Sequence, residues 1–299
     1  MEVKLAGLQL KNPTILASGI MGETSGAIIR IAKAGAGAIV TKSIGREARE
    51  GYPNPTAVEL EYGILNSMGL PNPGIEEFGK ELKEMGEVKI PIIGSIFGRD
   101  SEEFSFLAKK MEDYGVSAIE LNLSCPHARG YGTEIGTQPD VVESIVRAVK
   151  KSVSVPVFPK ISANVSSVVE IGKALEEGGA DGVVAINSVK AMKIDINLKK
   201  PILYNKVGGY SGRAIKPIGV RCVYELAREV DIPIVGVGGI ERGEDAIEYM
   251  LAGASAVQIG SAVYYRGIEV FIEICKEIKE WMRRNGYDSI DEFVGAALK

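Results

Sequence analysis

Histidine occurs once in this chain, at His127, and cysteine three times in 299 residues. Each scarcity closes off a class of chemistry. Cys125, Cys222 and Cys275 are odd in number and far apart, so no disulfide framework is expected, and the chain reads as a cytoplasmic protein kept reduced. Three thiols fall short of the four that an iron–sulfur cluster takes, and one imidazole beside scattered thiols makes no zinc site, so no metal is expected. Basic residues are not in excess: 35 Lys and Arg against 39 Asp and Glu leave a net charge of −4, with no lysine-rich arm. Nucleic acid is therefore not an expected partner. No apolar run approaches the roughly 18 residues of a membrane span, and Met1-Glu-Val-Lys-Leu-Ala-Gly7 lacks signal-peptide character, so neither a membrane nor a leader is expected.

What the chain does have is short apolar runs ending in glycine or a polar residue. With 45% hydrophobic and 25% charged residues, it can bury a substantial core under an ordinary surface. Eight runs, at residues 14–17, 38–42, 90–95, 118–122, 155–160, 182–187, 234–238 and 256–260, have the length of buried parallel strands. Helix-like stretches at 101–114, 139–151, 166–177 and 244–251 lie between them. This alternation, without a composition break, predicts an α/β fold: a single (β/α)8 barrel domain over residues 1–299. Ile268, Phe271, Ile272, Cys275, Ile278 and Met282 form an apolar stripe expected to pack the last helix on the core, and both Cys222 and Cys275 read as inert.

Several runs end at Lys42, Asn122, Lys160, Asn187, Gly238 and Gly260. In such barrels the C-terminal strand ends carry the active site, so polar residues in phase with the repeat mark one face as functional. Three segments exceed a minimal barrel: a hairpin at 3–14 expected to close the bottom, an inserted hairpin at 56–73, and a long connection at 192–216. Gly236-Val-Gly-Gly239 and Gly260-Ser261 follow the last two strands, where glycines let the backbone approach a phosphate. No G-x-G-x-x-G follows any strand, so a dinucleotide site on this chain is unsupported. The glycines favour a phosphorylated ligand and leave its identity open, between a redox cofactor and a metabolite handled by a non-redox isomerase or sensor.

Thr41-Lys42-Ser43, Asn66-Ser-Met-Gly-Leu-Pro-Asn72, Asn122-Leu-Ser-Cys-Pro126, Gly208-Gly-Tyr-Ser-Gly-Arg-Ala-Ile-Lys-Pro217, Gly236-Val-Gly-Gly-Ile-Glu-Arg-Gly-Glu-Asp-Ala246 and Gly286-Tyr-Asp-Ser-Ile-Asp-Glu-Phe293 together resemble the class 1 dihydroorotate dehydrogenases. The likeness runs along essentially the whole chain, and residues 192–201 are similar to the class 1B, NAD-linked catalytic subunit. The resemblance implies oxidation of dihydroorotate to orotate in pyrimidine biosynthesis, with FMN taking a hydride and a base taking a proton. It implies Cys125 as that base, on a glycine-bounded loop able to close over substrate. It places Lys42, Asn66, Ser67, Met68, Gly69, Leu70, Asn122, Asn187 and Ser188 on the substrate. FMN would touch Ser18, Lys42, Ser43, Asn122, Lys160, Ile186, Gly212, Gly238, Gly239, Gly260 and Ser261, with Lys160 stabilising the anionic reduced flavin.

The same resemblance implies a homodimer and a heterotetramer with a second subunit, which would carry FAD and a [2Fe–2S] cluster and pass electrons to NAD. Three positions depart from the family pattern. His127 stands where many members have Asn and the related dihydropyrimidine dehydrogenases have His; Ser95 replaces an Asn; Ser162-Ala163-Asn164 replaces Ser-Pro-Asn. His127 therefore keeps open a flavoenzyme acting on uracil-like pyrimidines.

Overall fold

A computed structural model describes residues 1–124 and 135–299. The chain opens on an antiparallel ribbon, β1 (Val3–Leu5) and β2 (Leu8–Leu10), that buries Val3, Leu5, Leu8 and Leu10 and turns Lys4 and Gln9 to water. β3 (Thr14–Leu16), α1 (Ser25–Lys33), β4 (Ala38–Val40), the hairpin β5 (Ala57–Leu60) and β6 (Gly63–Asn66), and α2 (Ile75–Glu84) follow. Then come β7 (Ile92–Ile96), α3 (Ser101–Asp113), β8 (Ala118–Asn122), α4 (Pro139–Ser152), β9 (Val157–Ile161), α5 (Val168–Glu177) and β10 (Val183–Ala185). The long connection holds β11 (Val189–Ala191), β12 (Ile194–Asp195), β13 (Lys200–Pro201) and β14 (Gly208–Ser211). α6 (Lys216–Ala227), β15 (Ile234–Val237), α7 (Gly243–Leu251), β16 (Ala254–Ile259), α8 (Ser261–Arg266) and α9 (Val270–Asn285) complete the order.

Among the described residues, eight parallel strands close a barrel in the order β10-β15-β16-β3-β4-β7-β8-β9. Closure runs through β16 and β3, where Val257, Gln258 and Ile259 pair with Thr14, Ile15 and Leu16. Each of the eight expected runs supplies one of these strands. The reason they read so plainly is burial on both faces: all five residues of β7 and of β9 are buried, between interior side chains and an outer helix. The helices start where side chains can satisfy their free N–H groups. Thr24, Asp100 and Ser167 accept from the N–H groups of Ala27, Glu103 and Glu170.

The ribbon β1–β2 packs on β16 as expected of a floor. The stripe expected on α9 holds at Phe271, Ile278 and Met282, which are buried, and at Ile268, which packs against the core; Ile272 is instead 55% exposed and Cys275 only partly buried. Ile274, four residues before Ile278 on the same buried face, takes the place the sequence assigned to Ile272. The long connection is not structureless. β14 pairs with β6, and β11 and β5 flank them, so the inserted hairpin and the connection form one antiparallel sheet, β11-β14-β6-β5. Its residues Ile64, Asn66 and Ser211 face the same cavity as the strand ends, so this sheet roofs the barrel mouth. Among the described residues, no helix is long and apolar enough to cross a membrane.

Candidate active site

The C-terminal strand ends and the roof enclose a cavity of about 350 Å³, a size typical of small-molecule and cofactor sites. From the barrel wall come Ser18 after β3, Lys42 and Ser43 after β4, Asn122 from β8 and Lys160 from β9. Ile186, Asn187 and Ser188 follow β10, Gly238 and Gly239 follow β15, and Gly260 and Ser261 follow β16. The roof adds Asn66 and Gly212, with Met68, Gly69 and Leu70 beside them. Among the described residues expected to bind a ligand, Ser67 is not part of the lining. Ser67 is 1% exposed, and its Oγ has no hydrogen-bond partner. Cys125, like His127, lies outside the described residues.

One group of side chains in this wall is neutral. Asn122 Nδ2 donates to Ser43 Oγ at 3.1 Å, and Ser43 Oγ lies 2.9 Å from Ser95 Oγ. The Ser95 N–H donates to Thr41 Oγ1 at 2.9 Å. Asn187 Nδ2 donates to Ser124 Oγ at 2.9 Å and approaches Asn122 Oδ1 at 3.4 Å, while its Oδ1 accepts the Ser188 N–H at 2.8 Å. The amides are thus held in place before any ligand arrives. Ser95, one of the three departures, is fully buried behind Ser43 and does not line the cavity.

A second group is ionic. Lys160 Nζ donates to Gln258 Oε1 at 2.8 Å, and Gln258 Nε2 donates to Glu120 Oε2 at 2.6 Å. Glu120 Oε1 lies 3.7 Å from Lys160 Nζ and has no hydrogen-bond partner. Burial pushes the Lys160 ammonium below its ordinary pKa, and the Glu120 carboxylate opposes that shift. Lys42 is the second cation of the cavity, 3.5 Å from the carboxylate of Glu23.

Glycine is required where the loops abut. Gly239 has φ +68°, and a Cβ there would come within 2.6 Å of the carbonyl oxygen of Gly212, itself at φ +105°. The Gly238 carbonyl is fixed from below by the phenol of Tyr249, which donates to it at 2.8 Å and which burial keeps neutral by raising its pKa. The other two thiols behave as inert groups. Cys222 is fully buried, and desolvation pushes its thiol up to about 11; burial also raises Cys275, whose Sγ sits 3.8 Å from Thr14 Oγ1.

Sequence reasoning missed Glu120 and Gln258. The signal was present: each interrupts a run that reads as a strand buried on both faces, where an ionisable or amide side chain needs a partner. It also missed Ser211, which reaches the cavity only because β14 pairs with β6. Taken together, the cavity offers two cations, several amides able both to donate and to accept, and glycine backbones open to close approach. That set can hold a planar polar ring and an anionic tail.

Comparison with known proteins gives the same picture along nearly the whole chain. A family model described as dihydroorotate dehydrogenase matches residues 1–282. A protein of Methanocaldococcus jannaschii named dihydroorotate dehydrogenase B (NAD(+)), catalytic subunit, is 54% identical over 301 residues, covering 99% of this chain and 98% of that one. A protein of Pyrococcus abyssi with the same name is 54% identical over 299 residues, covering 100% of this chain and 99% of its own length. One from Thermoplasma volcanium, again of that name, is 52% identical over 295 residues, covering 99% and 97%.

Proposed function

Because the chain belongs to the dihydroorotate dehydrogenase family, we propose that it oxidises (S)-dihydroorotate to orotate in the synthesis of UMP, as one FMN-binding domain over residues 1–299. The observation that carries this reading is the convergence of Lys42, Lys160, Asn122 and Asn187 with the glycine loops in one cavity at the strand ends. The residues fit the cofactor. Gly239 and Gly212 leave no room for a Cβ, as a backbone cradle requires, and Lys160 offers a buried cation. The partnerless hydroxyl of Ser67 sits beside Met68, Gly69 and Leu70, where the substrate loop is expected.

Ser18, Ser43, Ile186, Gly212, Gly238, Gly239, Gly260 and Ser261 would hold FMN, which supplies the hydride acceptor when bound. Asn66, Asn122, Asn187 and Ser188 match the donors and acceptors of a pyrimidine edge and its carboxylate. Lys42 reaches towards both ligands. Lys160 holds a positive charge where negative charge develops. Cys125 would take the proton from the substrate carbon. The names of the relatives, each a catalytic subunit of an NAD(+) enzyme, support a partner subunit; the FAD and [2Fe–2S] cluster of that partner, a homodimer at the centre of the assembly and a cytoplasmic setting rest on the family resemblance of the sequence alone.

Steady-state assays of the chain alone test the reading. Dihydroorotate should reduce artificial dyes rapidly and NAD hardly at all, until the partner is added. Rapid turnover of NAD by the chain alone would remove the partner from the account. Turnover with fumarate would move it to the other class 1 branch, and preference for dihydrouracil would favour the pyrimidine reductase reading that His127 raises.

A further inference from the structure

A strand buried on both faces is a poor place for a charge, yet β8 carries Glu120 at its centre with 0% exposure. Its partner Gln258 comes from β16, which stands four places from β8 in either direction round the barrel. The 2.6 Å bond from Gln258 Nε2 to Glu120 Oε2 therefore spans the interior, where barrels are usually filled by Val, Ile and Leu. The other end of the amide, Oε1, accepts from Lys160 Nζ at 2.8 Å. Each end of the amide is thereby committed: oxygen to the lysine, nitrogen to the carboxylate. Glu120 Oε1 is left without a donor, 3.7 Å from the same ammonium.

We propose that Glu120 and Gln258 are positioning residues for Lys160: they keep its ammonium charged and aimed at the cavity, and so set the redox potential of the flavin bound there. The inference rests on the flavin reading above. Lys160 is 4% exposed, and desolvation at that depth favours the neutral amine. Among the described residues, Glu120 is the charged group that opposes this desolvation. Lys42, the other cation lining the cavity, faces Glu23 instead.

The two roles open to Glu120 differ in sign. A cation beside a reduced, anionic flavin raises its potential, and a nearby anion lowers it. If Glu120 acted only as an anion, its removal would raise the potential. If it keeps Lys160 protonated, removal discharges the lysine and the potential falls.

Anaerobic potentiometry of the FMN-loaded full-length chain against pH reads this directly. For Glu120→Gln, reduction of the flavin should become at least tenfold less favourable at alkaline pH, a fall of about 30 mV for a two-electron couple. The difference should shrink and then change sign towards acidic pH, where Lys160 is protonated in both proteins and only the loss of the anion remains. Glu120→Asp should stay near wild type, and Gln258→Leu should lower the potential less than Glu120→Gln does. In the flavin-free chain, NMR titration of the Lys160 ε-carbon should show deprotonation at lower pH in Glu120→Gln. An unchanged or raised potential at alkaline pH, or an unmoved Lys160 titration, would overturn the proposal. Should Glu120→Gln not fold, Gln258→Leu decides on the same two readouts, wild-type values again overturning it. A wild-type chain that binds no FMN sinks the flavin reading alone, because the Lys160 titration still decides the linkage.

Discussion

Two polar clusters share the interior of one barrel, and they are built on opposite plans. Asn122, Ser43, Ser124 and Asn187 are neutral, and each can donate or accept. Glu120, Gln258 and Lys160 are committed in direction, with a fixed cation at one end and a carboxylate at the other. The neutral chain lies at the mouth, where a ligand can exchange hydrogen bonds with it at little net cost. The ionic one lies deeper, where low dielectric makes a charge strong and expensive. On the proposed reading, the difference is a division of labour: recognition by adaptable amides, electrostatics by a charge held in place.

The largest expected effect comes from the proposed base, Cys125. Cys125→Ser should slow flavin reduction by dihydroorotate about 10²- to 10⁴-fold at neutral pH, with FMN and orotate still bound; stopped-flow absorbance measures both. Lys160→Met should come next, with reduction slowed about 10²-fold and orotate affinity nearly unchanged. A loss of orotate binding equal to the loss of rate would merge the two clusters into one. Asn122→Ala should show the reverse signature: kcat/KM lower by about tenfold, the worth of one hydrogen bond or two, expressed mainly in KM. If it falls mainly in kcat, the neutral cluster serves the transition state rather than recognition.

The smallest effects lie outside the site and check the packing that positions it. Ile274→Ala, in the core face of α9, should cost about 2–5 kcal/mol of stability in denaturant unfolding. Ile272→Ala, 55% exposed on the same helix, should change stability by less than about 0.5 kcal/mol. Equal costs would restore the stripe read from the sequence.

The barrel was legible because parallel strands buried on both faces become unbroken apolar runs, and because Lys42, Asn122, Lys160 and Asn187 fall at the same end of each. The roof was not, since β12 and β13 are two residues long and β14 is rich in glycine. Their pairing with β6, far away in sequence, leaves no local pattern. On α9, Ile272 was misread as a core position because isoleucine occurs on both faces of the helix, at Ile272 and Ile274, and hydrophobicity alone does not choose between them. Most of the site was legible through motifs at strand ends. Glu120 and Gln258 were not, because they belong to no motif and meet only through a hydrogen bond across the barrel.

The most direct test of the account is the visible spectrum of the full-length chain with FMN, recorded under anaerobic conditions as dihydroorotate is added. The account predicts a yellow protein whose flavin bands bleach with dihydroorotate and stay unchanged with dihydrouracil. A chain that takes up no FMN, or one bleached by dihydrouracil and not by dihydroorotate, would contradict it.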